Sequence, residues 1–177
     1  MIRLFTALEI PKNAASHLAL LGGGVPGARW QKPEQLHVTL RFIGEVDEGV
    51  ARDIDDVLSS IHAPSFELEI SGVGAFGGKM PRALWAGVRG TEPLLHLQRK
   101  IETALQHLGL PPEHRKFTPH ITLAYLKSAP REKVLDFLTH HALLSLPAIS
   151  VTRFVLFSSQ LSPDGSLYRV ERTYALS

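Results

Sequence analysis

Cysteine is absent from this chain of 177 residues. Its absence excludes disulfides, thiolate nucleophiles and cysteine-ligated metals, and it fits a reducing compartment. No apolar run reaches the ~18 residues that a membrane helix needs, so no membrane partner is expected. The sequence passes straight into Ile2-Arg3-Leu4-Phe5 without a charged leader and a long apolar core. No signal peptide is therefore expected, and the expected location is the cytoplasm. Neither sign of charge dominates, the formal net charge being +2. That balance does not mark a nucleic-acid coat, although a pI near 9.0 allows a locally basic site. A Gly-x-Ser-x-Gly elbow and a phosphate loop ending in Lys-Ser/Thr are both missing. No linker rich in Gly, Ser or Pro divides the chain, so a single domain over residues 1–177 is expected, long enough to bury a substantial core. No exposed apolar repeat calls for an oligomer, and a monomer is expected.

What is present is a pair of short, nearly identical stretches, Leu36-His37-Val38-Thr39-Leu40 and Pro119-His120-Ile121-Thr122-Leu123. Each is a His-x-Thr-Leu tetrapeptide in an apolar, β-favouring run. Period-two alternation sends Leu36, Val38, Leu40 and Phe42 one way and His37, Thr39 and Arg41 the other. In the second copy Pro119, Ile121 and Leu123 take the core face, and His120 and Thr122 share the opposite one. The two histidines stand 83 positions apart, close to half the chain.

The rest of the chain is organised around these strands. Arg3 to Ile10 reads as a strand stopped by Pro11. A helix over Lys12 to Leu21 ends at Gly22-Gly23-Gly24, a triplet that reads as a helix terminus rather than a phosphate loop. The first His-x-Thr strand runs to about Ile43 and Gly44 breaks it. Asp47 caps a helix carrying Val50, Ile54, Val57, Leu58 and Ile61. Phe66 to Ile70 alternates as a strand, glycines 72 to 78 form a bend, and Arg82 to Val88 is a second strand. Leu94, Leu97, Ile101, Leu105 and Leu108 stripe the clearest helix, which Gly109 closes. Pro111-Pro112 stiffen the connection to the second His-x-Thr strand. A helix over Ser128 to Ala142, with Val134, Leu135 and Leu138 inward, precedes strands at Ile149 to Phe157 and Leu167 to Leu176. This order is close to a duplicated α+β unit, giving one body with two lobes.

Two imidazoles facing each other across a groove suit acid–base catalysis. With an unperturbed pKa of ~6.5, one histidine can hold a proton while its partner is neutral. One then protonates a leaving oxygen as the other deprotonates an attacking hydroxyl or water. The hydroxyls of Thr39 and Thr122 can donate hydrogen bonds to phosphate oxygens without repelling them. The motif faces bring no carboxylate, which argues against a hydrolytic metal site and leaves His-rich ligation as the alternative. An activated phosphodiester, such as a strained cyclic phosphate, fits this set.

The chain resembles the 2H phosphoesterases, and most closely the bacterial and archaeal RNA 2′,3′-cyclic phosphodiesterases, also called 2′-5′ RNA ligase-like proteins. The residues that carry the resemblance are Arg3-Leu4-Phe5-Thr6-Ala7 with Pro11, Leu36 to Leu40 with Phe42-Ile43-Gly44-Glu45, Leu84-Trp85-Ala86-Gly87-Val88, and Pro119 to Ala124. The resemblance implies two pseudo-symmetric α+β lobes of antiparallel sheet and helices around a central cleft. It implies opening of the 2′,3′-cyclic phosphate ends of RNA, tRNA fragments among them, to 2′-phosphomonoesters, with no metal or other cofactor. His37 would be the general acid on the departing 3′ oxygen and His120 the base that activates water. Ligation through a 2′-5′ linkage, by the reverse step in the same site, ranks second.

One position departs from the family pattern. The family often has a phosphate-binding arginine five residues after the second histidine, and here that position is Tyr125. Arg41, on the His37 and Thr39 face, is expected to supply part of the missing charge. Tyr125 is open between stacking on a base and packing in the core. Trp85 and Phe5 read as core packing before base stacking. His114-Arg115-Lys116 reads as a solvated linker before a contact to the RNA backbone. His140-His141 reads as a complement to a helix dipole. Small cyclic phosphates, 2′-5′ oligonucleotides and a non-catalytic RNA-binding module remain as further alternatives.

Overall fold

The computed structural model describes residues 1–177. In chain order the elements are β1 (Ile2–Glu9), α1 (Lys12–Ala19), β2 (Ala28–Trp30), β3 (His37–Val46), α2 (Glu48–Ser59), β4 (Phe66–Leu68), β5 (Ile70–Phe76), β6 (Ala83–Val88), α3 (Glu92–Leu108), β7 (His120–Leu126), α4 (Arg131–His140), β8 (Ile149–Val151), β9 (Arg153–Ser162) and β10 (Gly165–Ala175). A single 3-10 turn, Pro33–Gln35, leads into β3. The protein is α+β, with antiparallel pairing throughout its sheets.

The large sheet has the order β10-β9-β1-β3-β7-β6-β5, and β2 adds to β7. The two His-x-Thr strands are therefore neighbours at its centre. They touch through one bridged pair, Val38 with Ile121. On either side of that pair lies a well-hydrogen-bonded half-sheet. Such a thin seam lets the halves diverge, which is the geometry of two lobes.

One face of the sheet carries the helices. Leu4 and Leu8 of β1, Val38 and Leu40 of β3, and Ile121 and Leu123 of β7 join α2 and α3 in one cluster of 34 buried residues. The stripe of Leu94, Leu97, Ile101 and Leu105 on α3 is wholly buried there. Asp47 caps α2 by accepting a hydrogen bond from the Val50 N–H at 2.8 Å. Gly109 ends α3 in the left-handed conformation, φ 108°, where a side chain would be strained.

Several elements depart from the expected pattern. Gly44 does not end β3. It sits within the strand at φ 97°, where the register slips between Leu4 and Phe5, so it serves a β-bulge. Gly72 does the same in β5, which runs through Gly72 and Gly74, while Gly77 and Gly78 lie in the turn that follows it, as expected. The expected strand over Phe66 to Ile70 divides at Glu69, and that over Ile149 to Phe157 divides at Thr152. Each division sends its first part into a separate two-stranded sheet, β4-β8, and its second part into the large sheet. On α4 the buried positions are Val134 and Phe137, and Leu135 points to solvent.

Candidate active site

The bridged pair fixes the site. In antiparallel pairing the flanking residues face one another across the strands. His37 therefore lies across from Thr122, and Thr39 from His120. All four side chains are half-buried, while Val38 and Ile121 between them are fully buried on the helix side. Strand alternation thus places both imidazoles and both hydroxyls on the face away from the helices.

Each imidazole is held in the same way. His37 Nδ1 lies 2.8 Å from the Gln35 carbonyl oxygen, and His120 Nδ1 lies 2.7 Å from the Thr118 carbonyl oxygen. A carbonyl can only accept, so Nδ1 carries the proton in both rings. Nε2 is then the nitrogen free to take or give a proton. His37 Nε2 is 2.9 Å from Thr39 Oγ1, which joins the imidazole to the adjacent hydroxyl.

Aromatic rings form the walls. Phe5, Tyr168 and Phe157 surround His37, with centroids 5.0, 5.1 and 6.0 Å away. Phe76 meets His120 edge-on at 4.8 Å, and Trp85 stands 6.3 Å away. Phe5 is buried against His37, so its packing is at the site and not in the main core. Trp85 is half-buried, and its Nε1 is enclosed without a hydrogen-bond partner. Burial pushes the His37 imidazole below the ordinary histidine value. Its bond to the Gln35 carbonyl acts the other way, and the charge of His120 lowers it further. The two imidazoles therefore lie close enough to sense each other.

The face expected for Arg41 is corrected by a second bulge. Thr39 pairs with Ala7 and Arg41 with Thr6, so Leu40 is an inserted residue in β3. The insertion reverses the alternation beyond it. Arg41 turns to the helix side, and Phe42, expected in the core, is 39% exposed. The Arg41 guanidinium is held by Glu102 of α3 at 2.5 Å, by the Phe42 carbonyl at 2.8 Å and by the Pro111 carbonyl. These bonds occupy its charge and most of its donors. β7 repeats the insertion at Leu123, between Trp85–Thr122 and Leu84–Ala124. Tyr125 is consequently 51% exposed on the His120 and Thr122 face, which removes the core-packing alternative.

A cavity of about 550 Å³ opens at the His120 end, where β3 and the segment before β7 part. Thr39 and His120 border it, Phe42, Phe76 and Phe117 line it, and Arg41 and Glu102 form part of its wall. Of the expected basic cluster, Arg115 and Lys116 reach this cavity. Arg115 is paired to Glu113 at 3.2 Å, and its hydrogen bonds hold the Glu113 carboxyl down to about 2. Burial pushes Glu102 up, but bonds from Arg41, Gln106 and the Glu113 N–H outweigh it and keep the carboxyl below its usual range. His140 and His141 meet edge-to-face at the end of α4, with His141 also against Phe137. No group of three or more His, Asp or Glu side chains comes together as a metal-binding set.

Sequence reading had not singled out Glu102, Phe76 or Tyr168. The pattern of α3 marks its leucine stripe and gives Glu102 no signal of its own. Phe76 and Tyr168 reach the histidines only through strand pairing between distant segments. Nothing local marks them.

Comparison with known proteins agrees with this architecture. The Thermus thermophilus protein known as TT0787 superposes with a TM-score of 0.82, covering 98% of this chain and 97% of that one at 27% identity. Escherichia coli LigT complexed with 3′-AMP has the same fold, with a TM-score of 0.81 at 22% identity over 99% and 98% of the two chains. In sequence, an RNA 2′,3′-cyclic phosphodiesterase of Thermotoga maritima is 35% identical over 96% of this chain and 92% of its own length. Another, from Aeropyrum pernix, is 36% identical over 82% and 84%. Residues 26–161 match the 2′-5′ RNA ligase superfamily. The chain belongs to that superfamily, the 2H phosphoesterases.

Proposed function

We propose that this protein is an RNA 2′,3′-cyclic phosphodiesterase, opening the terminal cyclic phosphate to a 2′-phosphomonoester with His37 as general acid and His120 as general base. The names of its relatives support the activity. The observation that carries the mechanism is the matched anchoring of the two imidazoles, each bonded through Nδ1 to the carbonyl two residues upstream. That leaves two Nε2 atoms at one seam, which is what in-line displacement needs. Water loses a proton to His120 Nε2 and its oxygen bonds to phosphorus. The bond from phosphorus to the 3′ oxygen breaks, and His37 Nε2–H protonates that oxygen. The two imidazoles end with their protons exchanged, and solvent resets them. Thr39 and Thr122 hold the phosphate oxygens. No step requires a metal.

The test uses a short RNA ending in a 2′,3′-cyclic phosphate, with EDTA present and the product mapped. A 2′-phosphate from the wild type, lost in His37→Ala and His120→Ala, supports the reading. Activity that appears only with added metal overturns it.

A second reading is favoured by the cavity at the His120 end. That is the side from which the nucleophile enters, and there is room for more than water. A nucleoside 5′-hydroxyl seated there would give a 2′-5′ linkage. Adding a 5′-hydroxyl oligonucleotide and assaying for a 2′-5′ joined product checks it.

A further inference from the structure

The opposite end of the seam, beyond His37 and Thr122, holds a cation that the mechanism does not use. Arg29 of β2 is the direct cross-strand partner of Tyr125. Its neighbour Trp30, paired with Ala124, packs on the main core, so Arg29 and Tyr125 share the other face. Arg29 makes no ion pair and no side-chain hydrogen bond. It is exposed, but its position is confined. A Cβ at Gly165 would stand 2.8 Å from an Arg29 terminal nitrogen and 3.4 Å from the Gln35 amide nitrogen. Gln35 is tied to the same hairpin, donating to the Ser166 carbonyl at 2.8 Å. The carbonyl of Gln35 in turn holds His37. A short path of contacts therefore joins the Arg29 guanidinium to the acid of the proposed reaction.

The geometry of displacement orients the substrate. The 3′ oxygen must meet His37, so the terminal ribose lies at the His37 end, opposite the nucleophile's cavity. There it meets Phe5, Tyr168 and the exposed ring of Tyr125. The RNA chain continues from the 5′ side of that ribose, away from the cavity and toward β2 and the β9–β10 turn. We propose that Arg29 binds the phosphodiester linking the terminal nucleotide to its 5′ neighbour, making the enzyme selective for an RNA chain over a mononucleotide. A guanidinium meets phosphate through paired N–H donors, and an unpartnered one on a firm seat gives up little to do so. This inference rests on the acid and base roles stated above.

The experiment compares kcat/KM for a dinucleotide and for a mononucleoside, each ending in a 2′,3′-cyclic phosphate. In the wild type the dinucleotide is preferred. In Arg29→Ala that preference falls about tenfold, the effect of losing one hydrogen bond to a charged group, and Arg29→Lys recovers part of it. The slope of log kcat/KM against log salt, measured on the dinucleotide, is shallower by ~0.7 in Arg29→Ala, the value for one single-strand phosphate contact. An unchanged preference with an unchanged salt slope overturns the assignment of Arg29 alone. If the wild type turns over neither substrate, the proposed activity itself fails and this inference falls with it.

Discussion

Val38 and Ile121, the middle residues of the two His-x-Thr motifs, form the only bridged pair between β3 and β7. A local two-fold axis thus runs between two buried aliphatic side chains. It relates His37 to His120, Thr39 to Thr122, and each Nδ1–carbonyl bond to the other. The symmetry of the four polar groups is a property of strand register, since a one-residue slip would turn them all into the core.

The lowered His37 value gives two pH effects. Folding depresses this imidazole, so the unfolded chain binds the proton more tightly. Stability should then fall as pH drops below the unfolded value of ~6.5, and be fully present above it. Urea midpoints at pH 5.5 and 7.5 should differ less in His37→Gln than in the wild type. An equal difference in both would remove His37 as the cause.

The same group should shape turnover. As an acid it must be protonated, so the alkaline limb of kcat/KM, which reports the free protein, should lie below ~6.5. A bound phosphate anion favours the charged ring, and the corresponding limb of kcat should move up. A pH-rate profile with both limbs at the same place would contradict this role.

Arg41 and Glu102 act in the fold. Their side chains are 7% and 15% exposed, and removing either leaves the other charged and poorly solvated. Arg41→Ala should lower unfolding stability by about 2–3 kcal/mol, below the usual cost of breaking a fully buried pair because the cavity admits some water. Chemical denaturation measures it. A variant with wild-type stability but a raised KM would restore Arg41 as a phosphate ligand.

Thr39 is bonded to the working nitrogen of His37 at 2.9 Å, whereas no such bond joins Thr122 to His120. Thr39→Val keeps the shape and removes the hydroxyl. It should lower kcat/KM about tenfold through loss of a hydrogen bond to charged phosphate. Steady-state kinetics beside Thr122→Val will show whether the two hydroxyls differ.

Gly74 lies under the Trp85 indole, where a Cβ would overlap the ring. Trp85 and its neighbour Phe76 form the wall beside His120. Gly74→Ala should therefore cost about 1–3 kcal/mol by overpacking and reduce turnover as well. Calorimetry and the cyclic phosphate assay test both, and a silent substitution would show that the wall yields freely.

Much of this site was legible from residue order. Period two alone put His37 with Thr39 and His120 with Thr122 off the core, and the α3 stripe and the Asp47 cap stand where helical spacing puts them. The misplacements of Arg41, Phe42 and Gly44 share one cause. A bulge adds a residue without changing composition, so the insertion at Leu40 reversed Arg41 and Phe42 invisibly. Gly44 and Gly72 carried the only local trace of bulges, and positive-φ glycines look alike whether they end a strand or bend it. Arg29 was equally hidden, because its significance comes from pairing with Tyr125, far away in sequence.

The two halves differ at one telling place. Ala28 precedes His37 by nine residues, and Pro111 precedes His120 by the same interval. Ala28–Trp30 zips onto β7 as β2, but Pro111 and Pro112 have no amide hydrogen to offer β3, and that stretch forms no strand. The Arg41 side chain reaches the Pro111 carbonyl instead. One border of the central strand pair is consequently sealed and the other left ajar. Two imino acids thereby turn a symmetric pair of histidines into a device with a front and a back.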